Sequence, residues 1–212
     1  WPTLAARSFR RRPILWPKAL NTRKWDLPDI DLPGLEELLA ALKPGAKYRS
    51  FDLAASFFQL PLSPEVSRYF SFRASNGEMF SYRVLPMGFF GACEVLQALN
   101  IALAYLAIRD LPVWRSVYID NIRFGSLQTS ALEAASNRFV SLCEKVGVML
   151  NKEPSNQTHT EQDFCGTHYR TTQSAAYVRL PAAQVEKVKA ALSRLLDRKE
   201  RRVGKECRSR WS

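Results

Sequence analysis

Two short apolar segments, each carrying one aspartate, constrain the fold of this chain more than any other feature. The first spans residues 51–58 (FDLAASFF) and the second residues 117–122 (VYIDNI). Asp52 and Asp120 lie 68 positions apart (120 minus 52), each in or directly after a run typical of a β-strand. Two carboxylates that separate strands bring together form a site for divalent cations, and such a site suits phosphoryl transfer.

The composition indicates a folded, basic, intracellular protein. Of the 212 residues, 46% are hydrophobic, enough for one or two lobes with a real core. Lys and Arg outnumber Asp and Glu by 31 to 20, and the net charge of +11 suits a polyanionic partner, although simple solubilising charge explains it as well. The four cysteines form no CxxC pair, which argues against zinc and against a disulfide framework. Neither a membrane span nor a signal peptide is recognisable, so we expect no membrane contact.

The last sixteen positions, 197–212, differ in character from the rest of the chain. Residues 200–212 (ERRVGKECRSRWS) resemble the translation of a common sequencing-adapter read-through, and residues 197–199 are expected to belong to it. The alternative is a basic nucleic-acid-binding tail. This segment holds seven Lys or Arg and three Asp or Glu, so it contributes +4 and leaves +7 on the body of the chain.

Periodicity and turn signals predict the elements between these segments. We expect helices over 35–42 and 92–108, and the second has Val95, Leu99, Ala102 and Leu106 as its apolar stripe. A third helix is expected to run from a Ser130/Glu133 capping box to Gly147, and a fourth to begin after Pro181. We expect strands over 14–16, 47–52, 69–74, 79–84 and 148–150, a hairpin over 115–124 with Asp120-Asn121 at its tip, and a second hairpin pairing 164–166 with 176–180. The central order strand, helix, hairpin, helix, strand predicts an α+β fold with a split βαβ, ferredoxin-like sheet.

These segments, in this order, resemble a retrotransposon reverse transcriptase over about residues 5–180. The resemblance implies a right-hand polymerase with fingers at 1–46 and 63–86, palm at 47–62 and 87–178, and the start of a thumb at 179–196. The YIDN form at 118–121 and the FFGAC stretch at 89–93 are most similar to tyrosine-recombinase retrotransposons of the trypanosomatid type, with a gypsy-like LTR element as the competitor.

The resemblance implies roles for particular residues. Asp52 and Asp120 are expected to hold Mg²⁺, or Mn²⁺, for two-metal nucleotidyl transfer. Asn121 is the third expected metal residue, through its carbonyl oxygen, and stands where the family carries a second aspartate. We therefore expect weaker metal affinity or an altered metal preference, the alternative being an inactivated copy. Lys152 is the expected proton donor to pyrophosphate, the alternative being a solvated surface lysine.

The expected substrate-binding residues lie in three motifs. Arg12 is expected to contact the triphosphate of the incoming nucleotide, the alternative being a basic loop that binds RNA generically. Phe57 is expected to lie beneath the sugar and exclude a 2′-hydroxyl, unless Phe57 and Phe58 are both core residues. The remaining nucleotide-pocket residues are Leu53, Met87 and Gly88.

Together these features predict an RNA-directed DNA polymerase acting on an RNA or DNA template with a primer and on dNTPs. The second hypothesis is a catalytically inactive nucleic-acid-binding relic of such an enzyme, for which Asn121 is the argument. A third, an RNA-dependent RNA polymerase, conflicts with an aromatic residue at Phe57. The sequence leaves the oligomeric state open.

Overall fold

The chain forms an α+β fold around a three-stranded antiparallel sheet. A computed structural model describes residues 15–22, 30, 32–151 and 158–209, with side chains described as far as residue 195 in the last helix. The helices are α1 (Lys18–Asn21), α2 (Leu35–Ala40), α3 (Pro64–Ser67), α4 (Ala92–Ile108), α5 (Thr129–Val146) and α6 (Ala182–Ser209). The strands are β1 (Lys47–Asp52), β2 (Ser71–Arg73), β3 (Met79–Ser81), β4 (Trp114–Tyr118), β5 (Asn121–Ser126), β6 (Glu161–Phe164), β7 (Thr167–Thr171) and β8 (Ala176–Arg179).

The central sheet has the strand order β1-β5-β4. Residues 149–151 run antiparallel along the end of β1, where Ala54 donates its backbone N–H to Met149 (3.0 Å) and Asn151 donates to Asp52 (2.8 Å). This fourth strand is reduced to a single bridge between Leu53 and Leu150. The predicted split βαβ sheet is therefore present, with its last strand shorter than the sequence indicated.

One face of the central sheet, here called the helix-side face, packs on α4 and α5. Phe51, Ile122 and Phe124 meet Phe139 of α5, and Phe124 and Phe139 lie edge to face at 5.4 Å between ring centroids. Alternating strand residues point to opposite faces, so every second residue of β1 and β5 contributes to this core. Apolar burial here fixes the register of the strands that carry the aspartates.

The predicted apolar stripe of α4 has the wrong phase. Val95 and Leu106 are 46% and 41% exposed, and Ala102 is also exposed. The buried residues of α4 are Ala92, Leu96, Gln97, Asn100, Leu103, Ala104, Ala107 and Ile108. Small and polar residues supply five of these eight positions, so a pattern of large apolar side chains misplaces the buried face by about one residue.

The other face, here called the sheet-side face, packs on α2 and on the C-terminal sheet of order β6-β7-β8. Leu38, Tyr48, Phe164 and Tyr169 form a second, smaller core between these layers. Ser50 links β1 to β6 by donating to Gln162 at 2.7 Å. The C-terminal sheet is thus anchored directly on the strand that ends at Asp52.

Several predicted elements need correction. Residues 15–17 are irregular and lead into the short helix α1 rather than forming a strand. Strand β7 lies between β6 and β8, so the predicted direct pairing of 164–166 with 176–180 does not occur. Helix α5 begins after Gln128 without a side-chain cap, whereas Gly147 ends it with φ +76°, as predicted.

Other predicted elements agree with the structure. Strand β1 and helix α4 have the predicted bounds, and β2 and β3 form a hairpin around Gly77, whose φ is +87°. Such a positive φ is accessible to glycine at little cost, which is why the Asn-Gly pair indicated this turn. None of the helices, over the part of the chain described, combines the length and apolarity needed to cross a bilayer.

Candidate active site

The two aspartates lie side by side at one end of the central sheet. Asp52 is the last residue of β1 and is paired in register with Asn121, which in turn is opposite Tyr118. Asp120 lies in the two-residue turn between β4 and β5, and its carbonyl accepts a hydrogen bond from the N–H of Leu53 at 3.2 Å. The tip of the predicted hairpin is therefore Ile119-Asp120, one residue earlier than expected, and Asn121 begins β5.

Helix α4 holds the turn that carries Asp120. Ile119 has a left-handed backbone, with φ +53°, which a β-branched residue adopts only under constraint. Its N–H donates to Oε1 of Gln97 at 2.7 Å, and its carbonyl accepts from Nδ2 of Asn100 at 2.6 Å. Nε2 of Gln97 also donates to the carbonyl of Val117 at 3.0 Å. The side chains of Gln97 and Asn100 therefore hold the turn in place from the side of α4.

Gln97 and Asn100 were not among the site residues that the sequence predicted. Gln97 and Asn100 are 3% and 0% exposed, and they stand three positions apart on the buried face of the helix. A buried polar side chain needs partners, so polar residues inside an otherwise apolar helix face are the signal that could have identified them. That signal depends on the correct phase of the helix, which the sequence did not provide.

Burial and the neighbouring carboxylate of Asp52 both affect the pKa of Asp120. Burial raises the pKa of the Asp120 carboxyl, and the charge of Asp52 raises it further, while hydrogen bonds from its own backbone, Asn121 and Ser56 oppose the shift. Asn121 donates its Nδ2 to Oδ1 of Asp120 at 3.0 Å. Among the described residues, neither carboxylate forms an ion pair within 4 Å.

An asparagine not identified from the sequence contacts the other carboxylate. Nδ2 of Asn151 donates to Oδ2 of Asp52. Its position is fixed by the pairing of residues 149–151 with the end of β1, and by Gln59, whose Nε2 donates to the Met149 carbonyl (2.8 Å) and whose Oε1 accepts from the Met149 N–H (2.6 Å). Each aspartate therefore has one asparagine as a neutral hydrogen-bond partner.

The donor set fits a hard divalent cation. Two adjacent carboxylates without a basic partner in the described ranges supply the oxygen ligands that Mg²⁺ prefers, and bound positive charge would relieve their mutual repulsion. The carbonyl oxygen of Asn121 could complete the set, though it brings no charge. No group of three or more His, Cys, Asp or Glu residues suited to a metal occurs in the described part of the chain.

The predicted nucleotide-pocket residues have mixed environments. The side chain of Leu53 is 3% exposed in the helix-side core, so only its backbone can face a substrate. Phe57 is half-buried in a 3₁₀ turn (Ser56–Gln59) and packs against the same core, and Phe58 is half-buried as well. Met87 is also half-buried. Arg12 and Lys152 lie outside the described residues, so their predicted roles stay predictions.

A close intramolecular contact at Gly88 leaves no room for a side chain. A Cβ at Gly88 would collide with the carbonyl oxygen of Leu15. The adjoining turn is clamped by Asn21, which donates to the Gly88 carbonyl at 2.8 Å and accepts from the N–H of Phe90 at 3.1 Å. The backbone that closely approaches Gly88 is thus the chain's own segment 15–16.

Comparisons with known proteins support this fold. No protein-family model matches the chain. An enzymatic polyprotein of Figwort mosaic virus (strain DxS) is 27% identical over 138 residues, covering 64% of this chain and 20% of the polyprotein. A Gag-Pro-Pol polyprotein of Human T-cell leukemia virus 3 (strain Pyl43) is 26% identical over 178 residues, covering 81% of this chain and 12% of the polyprotein. The chain therefore spans about an eighth to a fifth of the length of these relatives.

Solved structures also have a fold similar to that of this chain. The foamy viral protease-reverse transcriptase dRH, in complex with double-stranded DNA, matches with a TM-score of 0.62 at 21% identity, over 84% of this chain and 30% of that one. The foamy viral protease-reverse transcriptase with double-stranded DNA matches with a TM-score of 0.56 at 20% identity, over 76% of this chain and 32% of that one. The predicted α+β polymerase fold is confirmed: this chain has the fold of a reverse transcriptase and is similar in sequence to viral Pol polyproteins.

Proposed function

We propose that this chain is the fingers-and-palm part of an RNA-directed DNA polymerase from a retrotransposon. The observation that carries the proposal is the placement of Asp120 beside Asp52 at the end of the central sheet, through the Leu53 N–H to Asp120 carbonyl bond. The reverse-transcriptase fold and the similarity to Pol polyproteins support it. The foamy viral structures hold double-stranded DNA, which supports a template–primer duplex as partner here.

The proposed reaction is attack of a primer 3′-hydroxyl on the α-phosphate of a dNTP. A new P–O bond forms at the 3′-oxygen, the bond to the pyrophosphate oxygen breaks, and the proton of the 3′-hydroxyl passes to solvent water. Two Mg²⁺ ions, or Mn²⁺, would activate the hydroxyl and stabilise the departing pyrophosphate. Asp52 and Asp120 would hold these ions, and Gln97 and Asn100 keep Asp120 in place because they fix the backbone of Ile119.

The other residues act on the nucleotide. Arg12 would bind the triphosphate through its planar guanidinium, which suits bidentate contact with phosphate oxygens. Lys152 would donate a proton to pyrophosphate. Phe57, directly after the turn that follows Asp52, would form the wall that rejects a 2′-hydroxyl, so that dNTPs are preferred to NTPs.

Primer extension tests this function directly. We would measure dTTP incorporation on poly(rA) with an oligo(dT) primer, comparing Mg²⁺ with Mn²⁺ and wild type with Asp120→Ala. Asp110→Ala is the matched control, since Asp110 is an exposed residue paired with Arg138 at 3.3 Å and lies outside the site. Metal-dependent incorporation that is lost only in Asp120→Ala would support the polymerase, and UTP in place of dTTP would test Phe57.

A second candidate function is that of an inactive relic that binds nucleic acid. Asn121 favours it, because the amide adds no negative charge to the two carboxylates. Template–primer binding without incorporation in either metal, together with recovery of incorporation in Asn121→Asp, would identify such a relic. Absence of both binding and incorporation would contradict both candidates.

A further inference from the structure

A buried arginine lies next to the candidate site on the sheet-side face. Arg123 of β5 is 1% exposed and is paired in register with Ser50 of β1 and Ser116 of β4. The neighbouring row on the same face, two residues along each strand, contains Asp52 and Asn121. The guanidinium is thus one row away from the proposed metal ligands.

Aromatic rings surround this guanidinium. Its Cζ lies 4.6 Å from the ring centroid of Phe164, 4.8 Å from that of Tyr169 and 5.5 Å from that of Tyr48. Nη2 donates to the Leu38 carbonyl at 3.2 Å and to Oγ of Ser116 at 3.3 Å, while Nη1 has no hydrogen-bond partner in the described structure. Over the same residues Arg123 forms no ion pair with a carboxylate.

A buried arginine without an ion pair is unusual at a position whose role is core packing alone. A buried charge without an opposite charge is expensive, and hydrophobic residues of similar volume often replace buried charges without loss of stability. The aromatic faces compensate in part through cation–π attraction. These rings belong to β1, β6 and β7, so one cation joins the central sheet to the C-terminal sheet.

The element joined in this way ends beside the aspartates. The β6–β7 turn consists of Cys165 and Gly166, with φ +48° and +73°. Thr171, whose N–H donates to the Thr160 carbonyl, lies at Ala46 and donates its hydroxyl to the Ala46 carbonyl at 2.7 Å, whereas Gln162 lies at Ser50. Strand β6 therefore advances along β1 toward Asp52, and the turn that follows Phe164 lies toward the end of the sheet that carries the aspartates.

We propose that Arg123 is a positioning residue that holds the β6–β7 hairpin against the end of the central sheet that carries Asp52 and Asp120. The rings of Phe164 and Tyr169 hold the hairpin on the guanidinium, and the bonds of Nη2 to Leu38 and Ser116 hold the guanidinium in place. The arginine therefore acts through the hairpin and touches no substrate. The effect on catalysis rests on the proposed function, whereas the effect on the hairpin does not.

Hydrogen exchange tests the structural part. In the full chain, we would compare wild type, Arg123→Met and Arg49→Met for exchange of the backbone amides of residues 161–171. Arg49 is the matched control because it is a buried arginine of β1 on the opposite, helix-side face. We expect about tenfold faster exchange in Arg123→Met, from the loss of three ring contacts, and wild-type exchange in Arg49→Met. Exchange within about twofold of wild type in Arg123→Met would overturn the proposal.

Kinetics test the catalytic part. If the hairpin keeps the end of the sheet that carries Asp52 and Asp120 in place, kcat for primer extension should fall by about 10–100-fold in Arg123→Met, with KM for dNTP within about twofold of wild type. Arg123→Lys keeps the charge and loses the planar fork, so it should recover part of the lost kcat. Equal kcat in wild type and Arg123→Met would contradict positioning. If wild type itself incorporates no nucleotide, the proposed function fails, and the exchange experiment still decides the role of Arg123.

Discussion

Replacing Gln97 with leucine tests whether helix α4 holds the turn that carries Asp120. The substitution removes the acceptor for the Ile119 N–H and the donor to the Val117 carbonyl. Leucine is close to glutamine in volume and fits a position that is 3% exposed. The perturbation therefore includes the loss of these two buried hydrogen bonds, with little change in packing.

The structure gives a magnitude for this loss. A buried polar group left without a partner costs about 1–3 kcal/mol, so two backbone groups predict a decrease of about 2–6 kcal/mol in the free energy of unfolding, less any backbone strain that is released. Ile119 also stores on the order of 1–3 kcal/mol in its left-handed backbone. Without Gln97 this strain is free to relax, and a displacement of Asp120 by about 1 Å would lower kcat by about 100-fold.

Urea unfolding and primer extension measure the two effects. Gln173→Leu, at an exposed position, is the matched control and should change neither. Glycine adopts positive φ without strain, so in an Ile119→Gly background no strain is released and the Gln97→Leu substitution should destabilise by about 1–3 kcal/mol more. A Gln97→Leu variant within about 0.5 kcal/mol of wild type, with kcat within about twofold, would refute the reasoning.

Three further predictions follow from individual contacts. Gly88→Ala should lower the free energy of unfolding by about 1–3 kcal/mol, because its Cβ meets the Leu15 carbonyl, whereas Gly34→Ala, with open space around it, should not; urea titration compares them. Asn121→Asp should lower the Mg²⁺ concentration for half-maximal incorporation by about tenfold, measured by metal titration, since it adds a charged ligand. The raised pKa of Asp120 means that the folded state binds its proton more tightly than the unfolded state. In metal-free buffer, stability should therefore fall as pH rises from the ordinary carboxyl value near 3.8 through the raised one, and Asp120→Asn should remove this part of the pH dependence.

The elements that the sequence predicted well are those whose signals are local. Strand β1 alternates between two buried faces, and helix α4 is bounded by Gly91 and the Leu-Pro sequence after Asp110. The Asn-Gly turn and the glycine that ends α5 depend on backbone conformations that few other residues adopt. In each case the information lies within a few residues of the element.

The supporting residues of the site could not be predicted in this way. Gln97 and Asn100 bond to backbone atoms 19 to 22 positions away, and Asn151 contacts a carboxylate 99 positions away. Charged residues are seldom buried, so Arg123 would be assigned to the surface from its type alone. Its burial depends on Tyr48, Phe164 and Tyr169, which only the assembled sheets bring together.

Asparagine at position 121 affects the proposed metal ligands and leaves the backbone frame of the site intact. Residue 121 is held by its backbone, in register between Asp52 and Tyr118, and within the described part of the chain its side chain bonds only to the Asp120 carboxylate next to it. The frame depends instead on α4 behind the turn, on the pairing of residues 149–151, and on the cores that flank both faces of the sheet. Since none of these contacts involves the side chain of residue 121, exchanging its amide for a carboxylate changes charge without moving backbone. The metal dependence of Asn121→Asp therefore reports on the charge of the site and on the lost Asn121–Asp120 hydrogen bond, and not on the backbone. A lower Mg²⁺ requirement in a protein that already incorporates nucleotide marks a weakened polymerase, whereas incorporation that occurs only in Asn121→Asp marks the relic.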